Sequence, residues 1–502
     1  MWFVYDNMAA FAVAALACTL SWLFGGTVGS CLVAVVPWLL ALLLEVLLCF
    51  PQRHQGESVY EARERVWYDL RHDPLVWVAV GFAALLMIPF VNKGLCPVCD
   101  YATINLDNVD PSPTIPFIPF CVNRLDHLNV VLWFVPALVA TITVRHALLK
   151  RGKRLLLELI VWNGVGLSFV GAIQQITGAE YPLWANLGGP KAYFFSTFGY
   201  PNMAGDYFTT LFALALALWR WKLEEVRREN HHQSGDSIAR ARHGIFWRRH
   251  LMLIPAIIFF FSALTTLSRA SILLVSSLAI IFFLHSFASF FMRLPRAQRL
   301  KASVASLFGL VLIALCTVVF MPDNMRREVD TLNTTEVLDR VTGKGQYHVR
   351  VATEIWKDHL LFGCGGWGYK HLCIPKMTDK ELSQIQQVGG INVHNDYLQF
   401  LAEHGLVGFS LIVAVAVLAV WPIGRIWRAL MTTVRFIPPK EQPPRPVAVF
   451  VLPAPVFFIL SAAVATFIHG FGDCPLRSPA VLTLFFVSLA AVDGFLPRLK
   501  GE

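Results

Sequence analysis

Charged side chains are scarce in this sequence. Asp, Glu, Lys and Arg together make up 15% of the 502 residues, whereas 56% are hydrophobic. Soluble proteins carry roughly 25% charged and 45–50% apolar residues. This deficit excludes an ordinary soluble fold and indicates a chain embedded in lipid.

Several familiar functional motifs are also missing. The sequence contains no phosphate-cradling glycine loop, no histidine pair at metal-ligand spacing and no serine-nucleophile elbow. It therefore gives no indication of a nucleotide-binding loop, a metalloprotease or a serine hydrolase, and we expect no metal and no cofactor. No basic region precedes the first apolar run, so we predict no cleavable signal peptide.

Long apolar runs are what the sequence has instead. The stretches 27–50, 303–320 and 447–467 contain no acid or base except Glu45, and a membrane span needs about 20 such residues. We predict an all-α polytopic membrane protein with about twelve transmembrane helices. The expected spans are roughly 8–24, 28–50, 74–92, 127–149, 155–177, 202–220, 251–267, 270–292, 303–320, 406–423, 448–469 and 479–495.

The basic residues are concentrated in alternate loops. Lys and Arg cluster in 53–71, 150–154, 220–249, 293–301 and 425–445, which predicts that these loops and both termini are cytoplasmic. The formal net charge of +9 is then largely topological, and we expect no nucleic acid partner. The chain divides into N-terminal helices (1–150), central helices (151–320), an extracytoplasmic loop (321–405) and C-terminal helices (406–502).

Five of the ten cysteines fall in two outer loops. Cys96, Cys99 and Cys121 share one of them, and Cys364 and Cys373 share the other. Disulfides or free thiols are favoured over a metal site, because no second Cys-x-x-Cys pair completes four ligands. The pairing of Cys96, Cys99 and Cys121 stays open.

The long outer loop is the most informative segment. It mixes acids, bases and aromatics, and it predicts a helix over 347–361 followed by a glycine-rich turn. Long ordered loops often carry function. We therefore expect any chemistry to face outward.

Four positively charged or titratable residues stand out at the outer side. His394, where the loop re-enters the membrane, is either a base for a hydroxyl or a residue that caps the next helix. Arg269 lies between two apolar runs and either binds an anion or reaches the lipid phosphates. Arg350 and Arg340 are either solvated surface or members of a phosphate site.

Two shorter stretches mark other outer span ends. Asn202 follows Pro201 at a helix-start signal. Asp473 and Arg477 lie in a tight turn before the last span. Both stretches read mainly as turns and helix starts, with Asp473 and Arg477 as polar lining.

Taken in order, these segments resemble the motifs of the bacterial O-antigen ligase family. His394-Asn395, nine residues and then Gly405-Leu406-Val407-Gly408 resemble its signature. Gly199-Tyr200-Pro201-Asn202-Met203-Ala204-Gly205 resembles G-N-P-N-x-x-A, with Tyr200 for the usual Asn and Gly205 for Ala. The remaining matches are Ser268-Arg269-Ala270 for S-R-G/A, Arg350 to Gly365 for R…W…hPllGvG with Leu360 for Pro, and Asp473 to Pro479 for D-x-P-x-x-x-P. The resemblance covers about 186–479, and 1–150 match no motif.

The resemblance implies a fold, a reaction and roles for several residues. The family resembles multi-helix glycosyltransferases of the GT-C type that need no metal and act at the outer face of the bacterial cytoplasmic membrane. The implied donor is a glycan on a polyprenyl (undecaprenyl) diphosphate, and the implied acceptor is lipid A–core or another hydroxyl, among membrane lipids. Arg269 and Arg350 are then expected to bind the diphosphate, and His394 to assist the acceptor hydroxyl in one inverting displacement. Arg340, Asn202, Asn395, Asp473 and Arg477 are the expected substrate-binding residues.

Other functions stay open at this point. An O-antigen polymerase and a protein O-oligosaccharyltransferase use the same kind of donor. A secondary transporter or lipid-glycan exporter has a similar composition, but it usually places charges near mid-bilayer, and these spans are nearly free of them. A non-catalytic scaffold leaves the large outer loop without a purpose.

Overall fold

The computed structural model describes residues 6–92, 115, 117–185, 194–232, 250–291, 296–319, 347–378, 381–382, 392–435 and 452–496. The named elements in these ranges are helices joined by turns, and Phe195 and Phe198 form an isolated bridge. The α-helices are α1 (Met8–Trp22), α2 (Gly29–Cys49), α3 (Val59–His72), α4 (Pro74–Met87), α5 (Arg124–His146), α6 (Lys150–Ile176), α7 (Pro201–His232), α8 (Leu253–Thr265), α9 (Arg269–Phe291), α10 (Arg296–Val319), α11 (Tyr347–Asp358), α12 (Gly368–Leu372), α13 (Asp396–Arg435), α14 (Ala454–Gly472) and α15 (Pro479–Ala491).

The apolar helices support the prediction of a membrane protein. Six helices in the described ranges are long and apolar enough to cross a bilayer, or seven if the pair α3 and α4, bent by 68°, forms one span. Each of the twelve predicted segments overlaps a helix, but α1, α8 and α15 are short for a crossing. The number twelve and the GT-C likeness stay predictions.

The bend between α3 and α4 follows from their sequences. Ser58 caps α3 in a capping box with Glu61, and α3 is amphipathic where α4 is uniformly apolar. Asp73 ends α3 and caps α4 by accepting from the backbone N–H of Leu75. Pro74 then fits the first turn of α4. The span predicted from hydropathy began at residue 74 and did not include α3.

A packed core joins the helices that carry the site. α7 packs along α14 and α8, and α5 lies between α2 and α15. The predicted loop helix is confirmed as α11, which ends at Asp358, and it packs on α13. Its buried residues Val351 and Ile355 are the ones that the helical spacing predicted, whereas Leu360 is 45% exposed.

Candidate functional site

His394 lies in a turn just before α13, where Asn395 caps the helix. The side chain of Asn395 accepts from the backbone N–H of Leu398 at 3.0 Å, and its amide donates to the carbonyl of Phe471 at 3.1 Å. His394 itself has a φ of 54°, a left-handed conformation that is unusual for a residue other than glycine. Such positions often occur at functional sites. In this turn the imidazole is partly exposed to solvent, with 42% of the side chain accessible.

The partner of His394 is Asp473, the residue that ends α14. Its Oδ1 lies 3.4 Å from His394 Nδ1, and its side chain is 8% exposed. Burial alone raises the pKa of Asp473, but the hydrogen bond and the charge of His394 outweigh it and hold this pKa below its usual range. An ionised Asp473 is therefore available to orient the imidazole.

Two residues from the start of α7 hold the same carboxylate. The hydroxyl of Tyr200 donates to Asp473 Oδ1 at 2.9 Å and Oδ2 at 3.1 Å. The amide of Asn202 donates to Asp473 Oδ2 and to the Tyr200 oxygen. Asn202 was predicted as a substrate-binding residue. In the structure it donates to Asp473, the carboxylate that contacts His394.

A second polar connection between α7 and α14 lies one helical turn away. Asp206 Oδ1 lies 3.0 Å from His469 Nδ1, with both side chains fully buried. Thr466 donates to Asp206 Oδ2 at 2.8 Å. Asp206 follows Asn202 by four residues and His469 precedes Asp473 by four, so both pairs lie on the facing sides of the two helices. This connection fixes the register of α7 against α14.

A second histidine faces the site from α11. The ring centroid of His348 lies 6.3 Å from that of His394, and its Nδ1 is 3.0 Å from the Tyr369 hydroxyl. Burial, and then the proximity of His394, lower the pKa of His348 to about 4. His348 is therefore a neutral hydrogen-bonding group beside His394. The sequence-based reasoning missed it, although its position two residues before Arg350 was a usable signal.

Arg269 begins α9 at a turn that lies against α7. Ser268 accepts from the backbone N–H of Ser271 at 3.3 Å, which caps the helix. A Cβ on Gly205 of α7 would lie 2.2 Å from Ser271 Oγ. Glycine at this position, where the resembling motif has Ala, lets the Arg269 turn approach α7 within three residues of Asn202.

Arg350 has a different set of partners. Its guanidinium donates to Glu354 at 2.9 Å, to Glu381 at 2.9 Å and to the Lys376 carbonyl at 3.3 Å. The side chain is 45% exposed. Arg340, predicted beside it, lies outside the described residues.

Arg477, predicted as a substrate-binding residue, is largely buried, with 8% of its side chain exposed. Its Nη2 donates to Glu403 at 2.7 Å, and its guanidinium lies over the Trp367 ring at 4.7 Å. The pair borders an apolar cavity of about 130 Å³ between α5, α13, α14 and α15, whose wall includes Phe134 and Phe486. In the structure Arg477 therefore connects the turn after α14 to α13.

Three side chains in the site come close enough to surround a metal ion. The ligand atoms of His394, Asp473 and Cys474 lie within 4.8 Å of one another. The Asp473 oxygens, however, already accept from Tyr200, Asn202 and the Cys474 N–H, and burial raises the pKa of the Cys474 thiol. A metal there would displace existing donors, so these residues fit one poorly.

The described outer-loop cysteines are not joined in disulfides. Cys121, Cys364 and Cys373 are all buried thiols. Cys96 and Cys99 lie outside the described residues. Of the two forms that the sequence favoured, the thiol is the one present at these three positions.

Comparison with known proteins identifies the central part of the chain. Residues 254–413 match the family model described as O-antigen ligase, which confirms the resemblance inferred from the motifs. The match includes Arg269, Arg350 and His394, whereas Asn202 and Asp473 lie on either side of it. No curated protein sequence matches the chain.

Proposed function

We propose that this O-antigen ligase-like membrane protein transfers a glycan from a polyprenyl diphosphate carrier to an acceptor hydroxyl. The observation that carries the proposal is the pairing of His394 with a buried carboxylate, in a chain whose residues 254–413 match the O-antigen ligase family. The match supports a glycosyltransferase, and the geometry supports the base that such a reaction uses.

His394 has the arrangement of a general base. With Nδ1 on Asp473, the imidazole is held with Nδ1 protonated and Nε2 free, and Nε2 accepts the proton of the acceptor hydroxyl. The hydroxyl oxygen forms a bond to the anomeric carbon as the bond to the diphosphate oxygen breaks. The diphosphate leaves with the electron pair, and the anomeric centre is inverted.

The leaving diphosphate needs positive charge. We propose that Arg269 supplies it at the start of α9, where the N-terminal end of the helix also favours an anion. Arg350 is the second candidate, and a diphosphate would compete with Glu354 and Glu381 for its donors. Guanidiniums in this role make a metal-independent displacement possible, and Arg340 completes the proposed set.

The acceptor separates several functions that share this chemistry. Transfer to lipid A–core makes the protein a ligase, transfer to another glycan a polymerase, and transfer to protein an oligosaccharyltransferase. We propose the ligase, acting at the outer face of the bacterial cytoplasmic membrane.

A transporter remains the alternative from another class, and one observation favours it. Asp206 and His469 form a buried ionisable pair near the start of α7 and the end of α14, and ion-coupled transport sites also use buried ionisable residues. A transporter would move the lipid-linked glycan without breaking its bond to diphosphate. Diphosphate release is therefore the measurement that separates the two functions.

The test is glycan transfer by purified protein in lipid nanodiscs. Wild type, His394→Ala and the exposed-residue control His54→Ala are incubated with a polyprenyl diphosphate-linked glycan, candidate acceptors and EDTA. We expect transfer and diphosphate release by wild type and His54→Ala, and loss of both in His394→Ala. A wild type that binds the donor but releases no diphosphate with any acceptor would contradict the enzyme.

A further inference from the structure

Tyr200 is the place where this chain departs from the motif that it resembles, and the structure puts it at the centre of the site. The resembling motif has Asn at this position, a residue that lacks the reach of a phenol. Tyr200 lies in the turn after the bridge between Phe195 and Phe198 and directly before α7. Its hydroxyl crosses to Asp473 at the end of α14.

The direction of the hydrogen bonds around the phenol is determined by its neighbours. Asn202 Nδ2 donates to the Tyr200 oxygen at 3.0 Å, so the phenol proton is left for Asp473. Burial, followed by the charge of Asp473, raises the pKa of Tyr200, and the phenol keeps that proton. Tyr200 is therefore a donor to the carboxylate on which His394 depends.

The contact restrains the plane of the carboxylate. The hydroxyl lies 2.9 Å from Oδ1 and 3.1 Å from Oδ2 of Asp473, while Cys474 donates its backbone N–H to Oδ1 at 2.7 Å. The hydrogen bond between Oδ1 and His394 is longer and weaker, at 3.4 Å. Without the phenol, Asn202 still donates to Oδ2 and the Cys474 N–H to Oδ1, but the hydroxyl that contacts both oxygens is lost, and the carboxylate can turn away from so weak a partner.

We propose that Tyr200 is a positioning residue that holds the Asp473 carboxylate in the orientation needed to pair with His394. The assignment rests on the proposed function, because it acts through His394 as the base. It predicts that loss of one hydroxyl changes the behaviour of a histidine that the phenol does not contact.

The first readout needs no substrate. Diethyl pyrocarbonate acylates neutral imidazoles, and its rate at His394 is measured by peptide mass spectrometry at pH 6 in nanodiscs, with exposed His54 as the internal reference. Loss of the Asp473 bond exposes Nδ1 of His394 to the reagent in addition to Nε2, so we expect about 3-fold faster modification in Tyr200→Phe. Asp473→Asn should give the same acceleration, and the double variant no more. Tyr181→Phe is the matched control, and Tyr200→Leu replaces Tyr200→Phe if the latter fails to fold.

The second readout is the split between kcat and KM for glycan transfer. We expect kcat to fall about 10-fold in Tyr200→Phe with KM within 2-fold, because the base is displaced while donor binding is kept. In the Asp473→Asn background, Tyr200→Phe should have no further effect. An additive loss there, or an unchanged rate of His394 modification, overturns the role of Tyr200. A wild type without transfer but with the predicted modification rates contradicts the proposed function and leaves the positioning role standing.

Discussion

The two ends of α15 carry ionic clusters of opposite character. Beyond its last residue, Lys153 of α6 contacts both oxygens of Asp493 at 2.7 and 2.8 Å, and its side chain is 4% exposed. Before its first residue, Asp473 is surrounded by donors, but its histidine partner is 42% exposed and 3.4 Å away. The contacts between Lys153 and Asp493 are short and largely shielded from solvent, so this closed cluster serves to join helix ends. The second is buried on one side and open on the other, which is what a group that exchanges a proton with a substrate requires.

The removal of His394 tests the open cluster most severely. His394→Ala deletes the proposed base, and we expect kcat for glycan transfer to fall by about 10³-fold. The folded fraction, followed by size-exclusion chromatography, should not change, since the side chain is partly exposed. If this variant transferred glycan at nearly the wild-type rate, the cluster of His394 and Asp473 would not be the catalytic site.

The loss of charge at Asp473 has the next largest expected effect. In Asp473→Asn the amide can donate to Nδ1, which favours the tautomer with the proton on Nε2, and we expect about a 100-fold lower kcat. Steady-state kinetics at several pH values measures it. If Asp473→Asn retained full kcat, the pairing with His394 would have no part in the reaction.

The closed cluster should respond in stability instead of rate. Lys153→Met leaves Asp493 without this partner, and we expect a loss of about 2 kcal/mol, because Asp493 is still partly exposed. Thermal unfolding in detergent measures the loss, and kcat per folded molecule should stay within 2-fold. The double variant Lys153→Met/Asp493→Leu is the control, since removal of both charges should recover most of the stability. A fall in kcat with unchanged stability would show that Lys153 and Asp493 act in the reaction and not in holding the fold.

A methyl group at Gly205 tests whether the Arg269 turn must lie close to α7. In Gly205→Ala the new Cβ would lie 2.2 Å from Ser271 Oγ, so the turn has to shift. Small displacements of binding groups are costly, and we expect about a 10-fold lower kcat/KM. Gly309→Ala, where nothing lies within 4 Å, is the matched control. Equal activity of the two variants would show that the reaction does not depend on the close approach of the Arg269 turn to α7.

The smallest expected effect is a pH dependence that comes from His348. Its pKa is lowered to about 4 in the folded protein, below the unfolded value of about 6.5. Below pH 6.5 the unfolded chain therefore binds more protons at this residue, and stability falls from pH 6.5 towards pH 4. We expect the melting temperature of His348→Gln to decrease less between pH 7 and pH 5 than that of wild type. Parallel curves would assign the dependence to other residues.

Hydropathy predicted the positions of the helices well, because burial in lipid is a property of contiguous residues. Each predicted span overlaps a helix. The helix α3 was missed because its polar and charged residues resemble a cytoplasmic loop. The bend at Asp73 comes from a helix cap followed by a proline, and α13 is broken by the non-helical conformation of Gly405. Hydropathy records neither feature.

The candidate site was predicted only in part. His394 was recognised from its motif, but its pairing with Asp473 joins residues 79 positions apart in sequence. Tyr200 was noted only as a departure from a motif, and His348 was not noted at all. Asn202 and Asp473 were each predicted to bind substrate, and their contact with each other follows from the packing of α7 on α14. The role of Arg350 stays a prediction.

The break in α13 at Gly405 joins the outer loop to the membrane helices by main-chain atoms. The N–H groups of Cys364 and Gly365 donate to the carbonyls of Ala402 and Glu403, and those of Leu406 and Val407 donate to Leu360 and Leu361. Gly363 and Gly405 both have positive φ, and a Cβ on either would lie within 2.4 Å of the opposing backbone.

Because this seam is made of main-chain hydrogen bonds between two segments, it depends on the spacing of its residues, and Gly363 and Gly405 leave no room for a side chain. Chimeras between this chain and its relatives should therefore keep 360–407 as one block. A junction or a single-residue insertion inside that block is expected to separate His394 from the helices that hold it.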